Sequence, residues 1–308
     1  FRSALQHKGI TAPFYISQND GTLMKPEHVE RYPVLTFASG PTNSMRGAAR
    51  LAGLGDAMVV DIGGTTSDVG MLMHGFPRES AVAVDIGGVR TNFRMPDVLA
   101  IGLGGGSIVR DNGLRIGPDS VGYEITSKAL VFGGDTLTTT DVVVAAGLQN
   151  IGDNSKVAHL PPELIENAIT TMHRMVDEAV DRMKTSSEPM PVILVGGGSI
   201  LISRPLSSAS EVLRPRNAGE ANAIGAAIAQ VGGEIDRIYA MEGRRRDEVL
   251  SEAKAEASAN AVSAGAEADT VKILDIEEVP LAYLPGSATR IRIKAVGDLK
   301  VRMKEAAE

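Results

Sequence analysis

The segment AMVVDIGGTTSDVGMLMHG, Ala57 to Gly75, holds residue types and spacings suited to chemistry. An apolar run ends in Asp61. Two glycines follow, then Thr65, Thr66, Ser67 and Asp68, and a second apolar run resumes. This pattern predicts a tight β-hairpin between strands at 58–62 and 68–73. Its tip would expose the backbone N–H groups of Gly63, Gly64, Thr65 and Thr66. Glycines keep Cβ atoms out of the way of a phosphate oxygen, and successive N–H donors with Thr hydroxyls form an anion cradle. Asp61, at the strand end, offers a hard oxygen ligand to Mg²⁺, directly or through water. No Lys follows the glycines, so this is not a Walker A loop. A strand rather than a helix follows, so it is not a dinucleotide fingerprint. The plainer alternative is a glycine turn with Asp as a turn former. A second copy, Asp85-Ile86-Gly87-Gly88, lacks the Thr pair and reads as a structural turn.

Far downstream, VILVGGGSI gives a buried strand, Val192 to Val195, that runs into Gly196, Gly197, Gly198 and Ser199. Such a strand exit lets a nucleoside lie against bare backbone; the alternative is a close-packed turn. Asp135 and Asp141, in GGDTLTTTD, flank hydroxyls after a glycine pair. Asp135 is a candidate catalytic group, and Asp141 reads equally as a helix cap. The five histidines, His7, His28, His74, His159 and His173, show no metal-ligand spacing and read as surface or structural.

Positioning these residues requires an alternation of strands and helices. APFYISQNDGTLM reads as a strand entering a turn at Asn19-Asp20-Gly21, and VLTFASGP as another strand. TNSMRGAARLAGLG reads as a helix capped by Thr42 or Asn43 and stopped by Gly53 or Gly55. A third strand is expected in SAVAVDI. Residues 161–184 repeat Leu164, Ile165, Ala168, Met172, Met175, Val176 and Ala179 at helical spacing, with Pro161 and Pro162 at the start. A second small-residue helix, GEANAIGAAIAQVGG, echoes the first as a weak repeat. From Met241 a charged, Ala-rich helix precedes two or three alternating strands with a turn at Pro285-Gly286. Arg244 to Arg246 read as a solvated helix start.

Composition sets the outer limits. The 308 residues are 43% hydrophobic but 4% aromatic, so the core rests on aliphatic side chains. The net charge of −7 argues against nucleic acid as a partner. The absence of cysteine excludes disulfides, thiolate catalysis and Cys-based zinc, and fits a cytoplasmic location. No apolar run is long enough to cross a membrane as a helix.

The segments SGPTNSMRGAARLAG, VVDIGGTTSDVG, IGLGGGSIV, RIGPDSVG and GGDTLTTTDVVVAAG follow in order over residues 39–147. They resemble the C-terminal part of the hydantoinase/oxoprolinase A family, in the actin/sugar-kinase/Hsp70 ATPase superfamily. The likeness continues through VGGGSI to about residue 240. The resemblance implies two RNase H-like lobes with ATP and Mg²⁺ between them. Asp61, Gly63, Gly64, Thr65 and Thr66 would form the second phosphate hairpin, and Gly196, Gly197, Gly198 and Ser199 the adenosine loop. The two small-residue helices would connect the lobes. The first hairpin is expected ahead of Phe1. Asp97 matches the acid of the family's Asp-x-His and is a candidate metal ligand, but Leu99 stands at the His position. YEITSKALVFGG replaces the family's Pro-Gly and Cys-Tyr-Gly stretch.

The expectation is an α/β protein. Residues 1–56 would be a remnant of the first lobe and a connector helix, 57–240 an RNase H-like, actin-like ATPase lobe with a mixed sheet, and 241–308 a small α+β tail. The expected activity is that of an ATP-binding subunit of a cyclic-amide hydrolase, an oligomer with a B-type partner subunit. The alternatives are an ATP-dependent carboxylase subunit, or a nucleotide-binding module inactive without its first lobe and partner.

Overall fold

A computed structural model describes residues 1–80, 85–86, 88–90, 94–284 and 286–300. The chain forms two compact units, Ala38–Ile228 and, separately, Phe1–Phe37 with the chain from Ala229. These contacts draw the units differently from the expected segments 1–56, 57–240 and 241–308.

The Ala38–Ile228 unit is built on one mixed sheet. Its elements are α1 (Ser39–Ala52), β1 (Ala57–Ile62), β2 (Ser67–Met73), β3 (Val98–Ile101), α2 (Pro162–Met183), β4 (Met190–Val195), β5 (Ala209–Leu213) and α3 (Ala221–Ala227). The strand order is β5-β4-β1-β2, with β3 and the short Phe76–Pro77 strand both on β2. β1 and β2 form an antiparallel hairpin, whereas β4 runs parallel to β1 and β5 parallel to β4. The fold is α/β, with the RNase H-like arrangement of an actin-like ATPase lobe.

Both faces of the sheet are covered, which is why β1 and β4 read as nearly unbroken apolar runs. Met58, Val60, Ile62, Val192 and Leu194 pack with Ala168, Met172 and Val176 of α2. Ala57, Val59, Ile193 and Val195 pack on the other face with Met45 and Ala48 of α1 and Ala221 of α3. The helical period read over 161–184 becomes the 22-residue α2.

The two small-residue helices pack directly on each other. A Cβ on Gly47 would fall 1.9 Å from the Ala221 carbonyl oxygen, and one on Gly225 would fall 1.8 Å from that of Asn43. The contact runs through Gly47, Ala221 and Gly225, while Ala223 and Ala227 are exposed. α1 stops at Gly53 in a left-handed conformation, as expected, but begins at Ser39, ahead of Thr42 and Asn43. Pro41 lies in its first turn, where no N–H is needed. The strand expected in VLTFASGP is a 3-10 turn, Pro33–Thr36. Pro33 fixes φ, removes a ladder donor and starts a turn instead.

In the second unit, Ile16–Ser17 and Thr22–Met24 form a hairpin about the expected turn at Asn19-Asp20-Gly21. Thr22–Met24 joins β6 (Gln230–Tyr239), and α4 (Arg246–Ala264) covers β6 and β8 (Thr289–Gly297), with β7 (Lys272–Pro280) at the edge beside β8. β6 continues directly after the small-residue helix, where the sequence was read as helix through Gly233. A Cβ on Gly233 would meet Ala261 N at 2.1 Å, so this glycine lets α4 lie close to the strand. Arg244 pairs with Glu252 and Arg246 with Glu278, as a solvated helix start should. Lys294 of β8 is nearly fully buried and forms an ion pair with Asp20 at 2.8 Å. Burial pushes the Asp20 carboxyl up, but the Lys294 charge and bonds from Lys294 and Thr22 outweigh it and hold it below its ordinary value. The strand expected in SAVAVDI lies mostly outside the described residues, as do Gly87 and Pro285. Asp85–Ile86 pairs with Val89–Arg90.

Candidate active site

The register of β1 and β2 places Ile62 opposite Ser67 and Asp61 opposite Asp68. The four residues between, Gly63 to Thr66, close the turn through Gly63 N–H to Thr66 O at 2.9 Å. Gly64, Thr65 and Thr66 are exposed. Among the described residues their amide N–H groups have no protein acceptor. Three adjacent donors at an exposed hairpin tip are a physical basis for anion binding.

A second glycine segment braces this tip from below. Gly105 N–H donates to Gly63 O at 3.0 Å and Gly106 N–H to Gly64 O at 2.7 Å. A Cβ on Gly104 would lie 2.4 Å from Thr65 N, so only glycine permits the approach. Thr139 and Thr140 hydroxyls donate to Gly104 O (2.5 Å) and Gly105 O (2.7 Å), and the buried Ser67 hydroxyl to Leu103 O (2.6 Å). The hydroxyl cluster in TLTTTD therefore holds the brace. Asp141 is fully buried and accepts from Val131 N, Thr138 N and Thr138 Oγ1. It forms a capping box with Thr138, the helix N-cap.

The triple-glycine exit of β4 arrives at the same place, because β4 is the parallel neighbour of β1 and Val195 lies beside Asp61. A Cβ on Gly196 would fall 2.3 Å from Asp61 Oδ1 and 2.4 Å from Ile62 O. One on Gly198 would fall 2.7 Å from Gly63 O. Gly196 adopts φ +81° and hands its N–H to Ala218 O at 2.9 Å. Ser199 is buried in the 3-10 turn Gly197–Leu201 that follows. Two loops remote in sequence thus share one contact surface.

Asp61 and Asp68 are partly buried and share a sheet face, with Cβ atoms about 5 Å apart in such a cross-strand pair. Burial, and then the Asp61 charge, push the Asp68 carboxyl above its ordinary value. Like charges directly opposite are destabilising, so the pair is suited to a cation. Among the described residues no cluster of three His, Asp or Glu forms a metal cage. Two carboxylates suit Mg²⁺, which keeps several waters.

The structure does not bring every candidate here. Asp97 precedes β3 and lies three residues along from Ala100, the partner of Asp68, about 10 Å at strand rise. Its carboxylate forms an ion pair with Arg78 at 2.6 Å. Asp135 is exposed and accepts from Thr136 Oγ1 at 3.0 Å. Asp68 and the Gly104–Gly106 brace had been passed over in the sequence. The symmetric placing of Asp61 and Asp68 about DIGGTTSD was the available signal for the first. His173 is structural, as read. Its Nδ1–H donates to Ile169 O, and Nε2 accepts from Ser203 N at 3.0 Å and Arg204 N at 2.9 Å. No helix among the described residues is long and apolar enough to cross a membrane.

A β-hairpin and a strand-end glycine turn meet across one mixed sheet with an RNase H-like strand order. The sequence profile of the hydantoinase/oxoprolinase family matches residues 1–155, and the chain belongs to that family. It is 30% identical over 154 residues to the acetophenone carboxylase gamma subunit of Aromatoleum aromaticum, covering 47% of this chain and 21% of that protein. It is 31% identical over 124 residues to the acetone carboxylase beta subunit of Xanthobacter autotrophicus, covering 37% and 17%. The aligned stretches thus span about a fifth of the length of these relatives. A nucleotide-free structure of acetone carboxylase, described as carrying out ATP-dependent acetone carboxylation, shares the fold. Its TM-score is 0.66 at 18% identity, over 100% of this chain and 56% of that one. These relatives correct the expectation of a cyclic-amide hydrolase, since both curated proteins are carboxylase subunits.

Proposed function

We propose that this chain is the nucleotide-binding part of a subunit of an ATP-dependent carboxylase that acts on a ketone. The observation that supports it is the packing of Gly196 and Gly198 against Asp61–Gly63, which brings phosphate-type and nucleoside-type loops together. Gly64, Thr65 and Thr66 donate N–H groups to the phosphates. Gly196 to Ser199 receive the nucleoside. Asp61 and Asp68 hold Mg²⁺, which supplies charge neutralisation at the phosphates when bound. A ketone enolate is a poor partner for bicarbonate, whose oxygens leave badly. Transfer of the γ-phosphoryl of ATP to one of those oxygens, with ADP leaving, makes that oxygen depart as phosphate when the enolate carbon attacks the carboxyl carbon. The role of this chain is to hold the phosphates in line and exclude disorder at the hairpin tip. Partner subunits and an oligomeric assembly belong to the same reading, since the relatives carry subunit names.

The test is ATP consumption by the protein assembled with its partner subunits, with bicarbonate and ketone each omitted in turn. Turnover should require both. Equal turnover without bicarbonate overturns the carboxylase reading. The isolated chain should bind Mg-ATP without turning it over.

A further inference from the structure

The turn after β4 is gripped from two sides. On one side α2 holds the strap Ser203–Ser208. Glu166 forms a two-bond pair with Arg204 (2.8 and 2.7 Å), His173 accepts the Ser203 and Arg204 N–H groups, and Asp177 accepts from Ser207 and Ser208. On the other side stands Arg214, one residue beyond β5. Its Nη2 donates to Ser199 O at 2.9 Å and also to Ile202 O. One cationic donor therefore ties a carbonyl within the 3-10 turn to the one just past its end.

Arg214 differs from its neighbour Arg204 in one respect. Among the described residues its hydrogen bonds go to these carbonyl oxygens alone, and no carboxylate pairs with it. Burial draws its guanidinium below its ordinary value. Keeping an unneutralised charge in partial burial costs solvation. The same side chain lines a cavity of about 400 Å³ with Ser203, Ser210 and Glu211. Nothing in its contacts reaches the hairpin tip, which has its own brace in Gly104–Gly106.

We infer that Arg214 is a positioning residue for nucleoside recognition. By fixing the carbonyls of Ser199 and Ile202, it sets the backbone of Gly196–Ser199 to receive the sugar and base of ATP. The inference rests on the nucleotide-binding reading above. It predicts that the nucleoside half of the site can be loosened while the phosphate half is untouched.

The experiment is calorimetric titration of the full protein with Mg-ATP and, separately, with Mg-tripolyphosphate. A charged hydrogen-bond donor is lost in Arg214→Met, so ATP binding should weaken about tenfold. Tripolyphosphate binding should stay within about twofold of the parent. Arg214→Lys, whose ammonium can still donate to both carbonyls, should keep ATP affinity within about threefold. Unchanged ATP affinity in Arg214→Met overturns the inference, as does an equal loss for both ligands. If Arg214→Met does not fold, Arg214→Gln, whose shorter amide cannot reach both carbonyls, takes its place in the same two titrations: a loss of ATP affinity with tripolyphosphate binding kept supports the inference, and an unchanged ATP affinity or an equal loss for both overturns it. A parent protein that binds neither ligand overturns the nucleotide reading itself, a result distinct from the others.

Discussion

Gly196 and Asp61 are in contact: a methyl group on the glycine would sit 2.3 Å from the aspartate Oδ1. This fixes where the two glycine-rich loops meet, and it gives the first prediction. Gly196→Ala should destabilise the protein by about 1–3 kcal/mol, because the site is overpacked and the φ of +81° is strained for any other residue. Nucleotide binding should fall with it. Gly197→Ala meets nothing within 4 Å and should be close to neutral in stability. Denaturant melts of the two variants check the contrast; equal effects would show that the loops do not meet.

Asp68 carries a carboxyl raised first by burial and then by Asp61. An acid whose folded pKa is raised loses stability as pH climbs through the window above the unfolded value of 3.8. Asp68→Asn should remove that loss and stabilise the metal-free protein near neutral pH, by less than about 1 kcal/mol after solvent screening. It should also weaken the Mg²⁺ dependence of ATP binding. Melts with and without Mg²⁺ read both effects. A variant that is less stable without metal and unchanged with it would refute the paired-carboxylate site.

His173 accepts two backbone N–H groups through Nε2 and so must be neutral on that nitrogen. Burial lowers its pKa, the Ile169 carbonyl works against this, and Arg204 adds to the lowering while Asp177 and Glu166 oppose it. The unfolded state then binds the proton more readily. Stability is complete above about pH 6.5 and falls as pH drops below it. His173→Gln, which keeps an acceptor, should flatten that slope between pH 5 and 7, measured as melting temperature against pH at about 0.5 unit steps.

The two aspartates of GGDTLTTTD should behave oppositely. Asp141→Ala removes the capping box and leaves Val131 N–H unpaired, at a cost of about 2–4 kcal/mol. Asp135→Asn touches only the exposed bond from Thr136 and should change stability by less than about 0.5 kcal/mol. Guanidinium melts of both decide the point.

The hairpin, the long amphipathic helix and the two small-residue helices were legible in sequence, because each rests on local rules. Glycine flanked by strand-formers makes a turn, and apolar residues at helical spacing make α2. The ends of α1 and the fate of Pro33–Thr36 were not, since proline placement competes with apolar patterning over a few residues. Neither was the start of β6, where Gly232 and Gly233 read as a helix end until pairing with β8 made them strand. What the amino-acid order alone determined was the set of parts: an acid before a glycine turn, a glycine exit after a buried strand, a family likeness over residues 39–147. Only tertiary structure decided that Asp68 belongs with Asp61, that Thr139 and Thr140 serve a brace, and that Asp97 is held by Arg78. Those facts depend on strand register and on which strands lie parallel, and register is fixed by burial across the whole sheet rather than by any local segment.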